Sequence, residues 1–420
     1  MPDTSRPQHC TVPSTHRPRR KRVAMVVFSY YPMDSRPRRS AEALVKEGME
    51  VEIICLRGAR TDPRRETLGG VDVFRVPLKR QRGGILRYVF QYLAFLLIST
   101  TVLGVRSVTR RYDLVYVHNM PDFLVLSALV PKVLGAKVIL DLHDPMPELM
   151  MTIFDLRQDA LPVRALKRLE KWSIRLADRV VTVNLACKRL FTSRSCRPAK
   201  IRVVMNSPDE DVFGSQPSRP DIAIRRAQSK PFVLMYHGSL VERNGLGLAI
   251  DALARIRESL PPAELRIYGP ATPFLERVMG SVRSSGLSDR VHYLGPRRLE
   301  DIVTAIADCD IGIVPTQRNA FTPITTPTRI FEYLALGKAV IAPRAPGVQD
   351  YFGDDALVFF ELGDANDLAR KIEYVYSHPG EVLEIVKRGQ EVYLAHTWHQ
   401  ERKTLITLTG ELLNGGARPD

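Results

Sequence analysis

The sequence predicts an α/β protein of two domains, each built on a mostly parallel sheet with helices on its faces. Three observations carry that expectation. The chain has 420 residues, more than one hydrophobic core ordinarily serves, so it divides. Short β-branched apolar runs alternate with helical stretches, which is the pattern of βαβ units. That rhythm breaks once, over a polar stretch, and then restarts.

In chain order, "RVAMVVFSYY" from Arg22 reads as a buried strand, and "SRPRRSAEALVKEGMEVEIICL" as loop, helix and second strand. In that helix Leu44 and the flanking alanines face inward, and Gly48 closes it. "VDVFRV", "YDLVYVHN", "AKVILDLHD" and "DRVVTVN" supply four more strands with helical segments between them. "SPDEDVFGSQPSRPDIAIRRAQSKP" is polar and without apolar period, and is the expected linker. A second set of strands follows in "FVLMYHG", "AELRIYGP", "RVHYLG", "DIGIVP", "KAVIAP" and "ALVFFEL". "TWHQERKTLITLTGELL" reads as a final amphipathic helix. The expected divisions are a disordered basic arm over 1–21, an N-terminal domain over 22–208, a linker over 209–230, a C-terminal domain over 231–395, and a helix and tail over 396–420.

Composition narrows the function. Apolar residues make up 45% and charged residues 25%, as in globular proteins. Lys and Arg total 61 against 46 Asp and Glu, a net +15 that favours an anionic partner. The basic residues are not interleaved with exposed aromatics and no nucleic-acid motif is present, so a nucleic-acid partner is not expected. The five cysteines, Cys10, Cys55, Cys187, Cys196 and Cys309, show no C-x-x-C spacing. This disfavours a zinc site or disulfide framework and suits a reducing cytoplasm. The N-terminal stretch has charges but no apolar core, unlike a secretory signal.

One segment departs from the α/β rhythm. Residues 88–105, "YVFQYLAFLLISTTVLGV", carry no charge and are flanked by basic stretches. The length reaches the lower limit for a bilayer span, yet a span here would put two halves of one sheet on opposite sides of a membrane. Two readings remain. In one, a helix keeps one face in the core and lays the other in the lipid interface, with the basic residues of 75–111 against anionic headgroups. In the other, the helix is wholly buried in the core.

Polar residues at the carboxyl ends of the strands are the site candidates, because parallel sheets bind ligands there. "ILDLHDPMPELM" places His143, Asp144 and Glu148 after one strand, and "VYVHNMPDF" places His118 and Asn119 after another. A histidine so placed can donate to or orient a sugar hydroxyl, with Asp144 setting its tautomer. After the first strand come Asp34, Arg36, Arg38 and Arg39 beside a helix start, a natural anion site. Arg36 is expected at the anion and Arg39 on the solvated basic face. No G-x-G-x-x-G occurs there, against a dinucleotide-dependent dehydrogenase. In "LMYHGSLVERNGLGLAIDAL", Gly238 permits close backbone approach, and Ser239 and Arg243 precede a helix. In "TPTRIFEYLALGKAVIAP", Arg329 and Glu332 lie three apart and share a helix face.

Taken together, these pieces resemble the retaining glycosyltransferases of the GT-B fold, family 4 (glycosyl transferases group 1). The resemblance runs from about Arg22 to the final helix, through "YYPMDSRPRRSAEALVKEGMEV", "YDLVYVHNMPDF", "AKVILDLHDPMPE", "VVTVN", "VVMNSPDEDVF", "YHGSLVERNGLGLAIDAL", "LRIYGP", "VHYLGPRRLEDI", "DIGIVP" and "PTRIFEYLALGKAVIA". It implies two Rossmann-like domains with parallel sheets facing across a cleft, the C-terminal one holding a nucleotide-diphosphate sugar and the N-terminal one the acceptor. It implies no metal and no cofactor, with basic side chains and helix starts meeting the diphosphate charge. His143 matches the family's active-site histidine, and Glu332 the carboxylate that takes the ribose hydroxyls. Two departures stand out. The family's first glutamate, eight positions before Glu332, is Ile324 here. Ser239 and Asn244 replace the usual Arg and Lys, leaving Arg243 and Arg329 as substitutes.

The expected function is therefore transfer of a hexose-type sugar to a glycan or lipid-linked glycan acceptor in cell-envelope or exopolysaccharide synthesis. The expected location is the cytoplasm, at the inner face of the membrane. His143 and Asp144 are expected at the reacting centre, with Gly238, Ser239, Arg243, Arg329 and Glu332 on the donor. Asp34, Arg36, His118 and Glu148 are expected on acceptor or phosphate. A nucleotide-sugar epimerase or hydrolase on the same fold, and a non-catalytic partner subunit at the membrane, are the alternatives.

Overall fold

The computed structural model describes residues 19–80, 85–218, 222–223, 227–228, 230–260 and 263–415. Residues 1–18 of the expected arm, part of the expected linker and the tail beyond residue 415 lie outside them. The first domain runs β1 (Arg22–Tyr30), α1 (Ser35–Lys46), β2 (Glu50–Leu56), β3 (Arg65–Leu68), β4 (Val71–Val76), α2 (Ile85–Thr109), β5 (Leu114–His118), α3 (Leu129–Val133), β6 (Lys137–Leu142), α4 (Met146–Phe154), α5 (Leu161–Leu176), β7 (Arg179–Thr182), α6 (Leu185–Arg194) and β8 (Ile201–Val203). Its sheet has the order β3-β4-β2-β1-β5-β6-β7-β8 and is parallel except for the β3–β4 pair. In β1 six consecutive residues, Val23 to Phe28, are buried. That is why the strand reads as an unbroken apolar run: helices cover both faces. β3 was not expected, because "RETL" is a half-exposed edge strand without an apolar signal.

The second domain runs α7 (Glu210–Phe213), β9 (Phe232–His237), α8 (Leu246–Arg255), β10 (Ala263–Tyr268), α9 (Pro273–Ser284), β11 (Val291–Tyr293), α10 (Leu299–Ala307), β12 (Ile311–Ile313), α11 (Thr328–Ala335), β13 (Ala339–Pro343), α12 (Pro346–Gln349), β14 (Val358–Phe360), α13 (Ala365–Ser377) and α14 (Pro379–Ala395). Its sheet is wholly parallel, in the order β11-β10-β9-β12-β13-β14. Within the expected linker, Phe213 is buried in this domain's core with Met205 and Val233. The last helix, α15 (Trp398–Leu413), crosses back. Its Leu405, Leu408 and Leu412, at helical spacing, are buried against Val23, Met25 and Leu44 of the first domain. Each such burial is worth about 1.5–3 kcal/mol, so α15 ties the two domains together.

α2 decides between the two readings of residues 88–105. Among the described residues it is the one helix long and apolar enough to cross a membrane. It lies along the first sheet, however, with Tyr92, Phe95 and Leu103 in the core beside Phe28 and Val115. The reading as a wholly buried core helix is overturned. Leu86 (85% exposed), Phe90 (72%), Leu97 (69%), Val105 (67%) and Val108 (77%) form an outward apolar stripe.

Candidate active site

The carboxyl ends of both sheets face one cleft between the domains, which holds two adjoining cavities of about 360 Å³ each. Asp34, His143, Asp144 and Arg243 line both. The first cavity continues over Asn184, Thr316 and the start of α11, including Thr328 and Arg329. The second continues past Ser239 to Tyr88, Tyr92, Ile153 and Phe154. Four helix starts converge here: α1 after Asp34, α4 after Pro145, α8 after the turn holding Arg243, and α11 after Pro327. Backbone N–H groups at those ends favour an anion.

A buried polar chain lies behind His143. Asp141, wholly buried in β6, receives Arg36 Nε at 3.1 Å and Nη2 at 2.7 Å, and the Tyr116 hydroxyl at 2.9 Å. Burial opposes the Asp141 charge, but the Arg36 guanidinium outweighs it and holds the carboxyl well below the usual carboxylate range. Arg36 also donates to the Val204 carbonyl at 2.9 Å. Arg36, expected at acceptor or phosphate, does line the first cavity, but its guanidinium is engaged by Asp141 and the Val204 carbonyl. His118 is not an acceptor contact. It is fully buried, with Nδ1 at 2.9 Å from His143 Nε2 and 3.5 Å from Asp141. Burial pushes its pKa well down, so its ring is neutral.

One proton then sits on the His118 ring. Its Nε2 is buried and without a partner among the described residues. A buried N–H without an acceptor is the costlier arrangement, so the proton belongs on Nδ1, which donates to His143 Nε2. His143 consequently carries its own proton on Nδ1 and acts toward the cleft as a donor. The expectation that Asp144 sets this tautomer is corrected: His118 does, backed by Asp141. Asp144 instead has its backbone carbonyl bound by Asn119 Nδ2 at 2.8 Å, while Asn119 Oδ1 accepts the His143 backbone N–H at 2.8 Å. Burial raises the Asp144 carboxyl above its usual pKa, against the pull of His143, Arg243 and Arg36. His118, Asp141 and His143 also offer ligand atoms within 4.8 Å of one another. A cation there would face the Arg36 guanidinium that already holds Asp141, so the donor set fits the hydrogen-bonded chain and not an ion.

The C-terminal wall is built from β9 and α11. Glu332 binds His237 Nε2 at 2.6 Å, and His237 Nδ1 lies 2.9 Å from the Tyr333 hydroxyl. No other described side chain bonds the Glu332 carboxylate, which leaves it acceptor capacity. Arg329 stacks over the Tyr236 ring at 4.7 Å. Burial opposes its charge, but Tyr236, Tyr333 and Glu332 outweigh it and the guanidinium stays charged. A Cβ on Gly238 would meet Arg329 Nη2 at 3.4 Å, so the glycine lets the two approach. Gly245 has φ +74°, and a Cβ there would lie 1.7 Å from the Pro315 carbonyl oxygen. That packing sets the turn carrying Arg243.

Two further expectations change. Glu148 is not free for an acceptor: Arg194 binds it at 2.6 and 2.9 Å. Arg39 is not on a solvated face. It is buried, stacks over Trp398 at 5.1 Å and bonds Asn206. Ile324 lines the first cavity, with its carbonyl bound by Asn184 Nδ2 at 2.9 Å. Thr325, Thr326 and Thr328 line the cavity beside it, the first two with hydroxyls donated to the Thr322 and Gly347 carbonyls and the third accepting from Asn206 Nδ2. Thr316, 7% exposed, lines the same cavity with its hydroxyl unpartnered among the described residues. The sequence reading missed Asp141, Tyr116, His237 and Thr316. Asp141 had a signal: an acidic residue inside an apolar strand calls for a buried partner.

Known proteins agree with this layout. Residues 33–207 match the Glycosyl transferase 4-like domain, and residues 231–378 match Glycosyl transferases group 1. "Probable glycosyltransferase WbjE" of Pseudomonas aeruginosa is 23% identical over 284 residues, 66% of this chain and 68% of that one. "Amylovoran biosynthesis glycosyltransferase AmsK" of Erwinia amylovora is 24% identical over 191 residues, 44% of this chain and 46% of that one. Among solved structures, sucrose-phosphate synthase from Thermosynechococcus elongatus superposes with TM-score 0.76 at 18% identity, covering 94% of this chain and all of that one. Anabaena Alr3699/HepE in complex with UDP superposes with TM-score 0.68 at 17% identity, covering 93% and 100%. These likenesses establish the two-domain fold. The chain belongs to the glycosyl transferases group 1 family and is a glycosyltransferase of GT-B architecture.

Proposed function

We propose that the chain is a retaining transferase that moves a hexose-type sugar from a nucleotide-diphosphate donor to a glycan or lipid-linked glycan acceptor, in cell-envelope or exopolysaccharide synthesis. The observation that carries this is the convergence of Arg243, Arg329 and the α8 and α11 starts on one wall of a cleft whose other wall presents His143. A diphosphate needs several donors and positive charge at once, and that wall supplies both. Glu332, tethered to His237, takes the ribose hydroxyls. HepE, of the same fold, holds UDP and UDP-glucose, which supports a nucleotide-sugar donor here.

In the proposed reaction the bond between the anomeric carbon and the β-phosphate oxygen breaks. The acceptor hydroxyl attacks that carbon from the same face, and its proton passes to the departing phosphate oxygen. Arg243, Arg329 and the helix starts stabilise the growing charge, so no metal or other cofactor is required. His143 donates from Nδ1 to a sugar hydroxyl and orients it. The enzyme works in the cytoplasm at the inner membrane face. There the apolar stripe of α2 enters the interface and the exposed Lys79, Arg87, Arg110 and Arg111 meet anionic headgroups.

The test supplies UDP-, GDP- and ADP-hexoses with cell-envelope glycan fractions and follows nucleotide release and product configuration. Acceptor-dependent release with the donor's anomeric configuration retained is expected. Release without acceptor and without transfer would favour a hydrolase, and inversion would overturn the front-face mechanism.

A further inference from the structure

We propose that the second cavity receives an amphiphile: an acceptor sugar carried on a phosphate-linked hydrocarbon chain that enters past the exposed rim at Ile153. The proposal deepens the transferase reading and rests on it for the identity of the reacting end.

The cavity has two chemically distinct ends. Asp34, His143, Asp144 and Arg243 line the end it shares with the donor cavity. Met150, Ile153 and Phe154 of α4, with Tyr88 and Tyr92 of α2, line the other. Aromatic rings alone would suit a sugar face. Met150 and Ile153 would only strip water from sugar hydroxyls without replacing their hydrogen bonds, whereas a hydrocarbon chain gains by lying on them. The apolar end is also not closed. Ile153 is 45% exposed, and Tyr88 packs edge-on to Phe154 with ring centroids 6.4 Å apart, joining α4 to α2 at the rim. On the opposite side of α2 from Tyr88 and Tyr92, the stripe of Leu86, Phe90, Leu97, Val105 and Val108 is left to seat the helix on a lipid surface beside that rim.

Charge accompanies the apolar end. Arg80 lines the cavity beside Tyr92, is exposed, and has no carboxylate partner among the described residues. Its backbone N–H is fixed by the Tyr30 hydroxyl at 2.9 Å. An arginine on the wall of this cavity, beside its apolar end, matches a phosphate that links sugar to chain. A soluble glycan would use neither Arg80 nor the rim.

The experiment titrates farnesyl phosphate, farnesol and inorganic phosphate into the full-length protein, with UDP titrated separately. Farnesyl phosphate is expected to bind at least tenfold more tightly than either fragment. Ile153→Ser should weaken it about fivefold or more, in line with loss of a buried branched chain, and leave inorganic phosphate unchanged. Arg80→Ala should bring farnesyl phosphate down to the affinity of farnesol. The UDP affinity of both variants should equal that of wild type. Equal affinity of wild type for farnesyl phosphate and inorganic phosphate, or farnesyl phosphate binding indifferent to both substitutions, overturns the proposal. Failure of UDP to bind would instead contradict the donor reading, which the farnesyl phosphate result does not touch.

Discussion

Arg36→Met removes the cation that holds Asp141 in place. In the native protein that carboxylate, fully buried, takes Arg36 N–H groups at 2.7 and 3.1 Å and the Tyr116 hydroxyl at 2.9 Å. With Arg36 gone, Asp141 keeps Tyr116 and stays out of water. Breaking a buried pair in this way costs about 3–5 kcal/mol, or about 6–20 °C in Tm for a domain of this size. The loss depends on pH in a defined sense. Wild-type Asp141 is held well below the carboxylate range, so the contribution of the pair is present from about pH 4 upward and is lost only below it. Without Arg36 the largest influence opposing burial is gone, and the carboxyl is pushed up. The variant's native state then keeps a proton that its unfolded chain gives up, and stability falls with rising pH by up to about 1.4 kcal/mol per unit. The gap between variant and wild type should therefore be wider at pH 8 than at pH 5. Adding Asp141→Asn should recover part of the loss, because the uncompensated charge goes with it. Urea unfolding of the four proteins of the cycle at pH 5, 6.5 and 8 measures all of this. A loss in Arg36→Met below about 1 kcal/mol, too small for a broken buried pair, or a gap that does not change with pH, would refute the account of the buried chain.

Burial, reinforced by Glu170, lifts the Asp122 pKa to about 7. Its native state thus holds a proton that the unfolded chain gives up above about pH 4. Asp122→Asn should gain on wild type by up to about 1.4 kcal/mol per unit between pH 5 and 7 and level off above; a constant difference in denaturation midpoints across that range would contradict the raised pKa. His118→Leu takes the donated proton from His143 Nε2 and should lower kcat about tenfold to a hundredfold with donor affinity unchanged. His118→Asn, which can still donate, should retain more activity, and equal loss in both would show that the ring only fills space. Thr316→Val should leave the unfolding free energy within about 0.5 kcal/mol of wild type, since the hydroxyl has no hydrogen-bond partner among the described residues, yet weaken nucleotide-sugar binding. Undiminished binding by calorimetry would remove Thr316 from the donor site.

The fold was legible because buried parallel strands read as unbroken apolar runs and helices as amphipathic ones. β1 and β9 were visible for that reason, while "RETL" and the three-residue β8 were too short or too polar to show. The amphipathic pattern of α15 announced a buried face but not that the face returns to the first domain. In the site, strand-end position identified His143 and Asp144, and the resemblance to known glycosyltransferases pointed to Arg329 and Glu332. What sequence position does not carry is the direction of a long side chain. Arg36 turns inward to Asp141, His118 backs His143, and Glu148 turns to Arg194. Each was expected at the ligand and each is engaged within the domain, though Arg36 still lines the first cavity. Ile324 is a related case. Its position implied a gap in sugar recognition, and the structure lines that gap with threonines whose hydroxyls are bonded within the protein.

The central claim is that the C-terminal wall of the cleft holds a nucleotide diphosphate through Arg329 and Glu332. Calorimetric titration of UDP, GDP and ADP into wild type, Arg329→Ala and Glu332→Ala tests it directly. One nucleotide should bind wild type clearly above the others. Arg329→Ala should weaken it at least tenfold, as expected for a lost charge-assisted contact to phosphate, and Glu332→Ala should weaken the nucleotide while leaving inorganic diphosphate unaffected. Binding of that nucleotide unchanged in both variants would contradict the account.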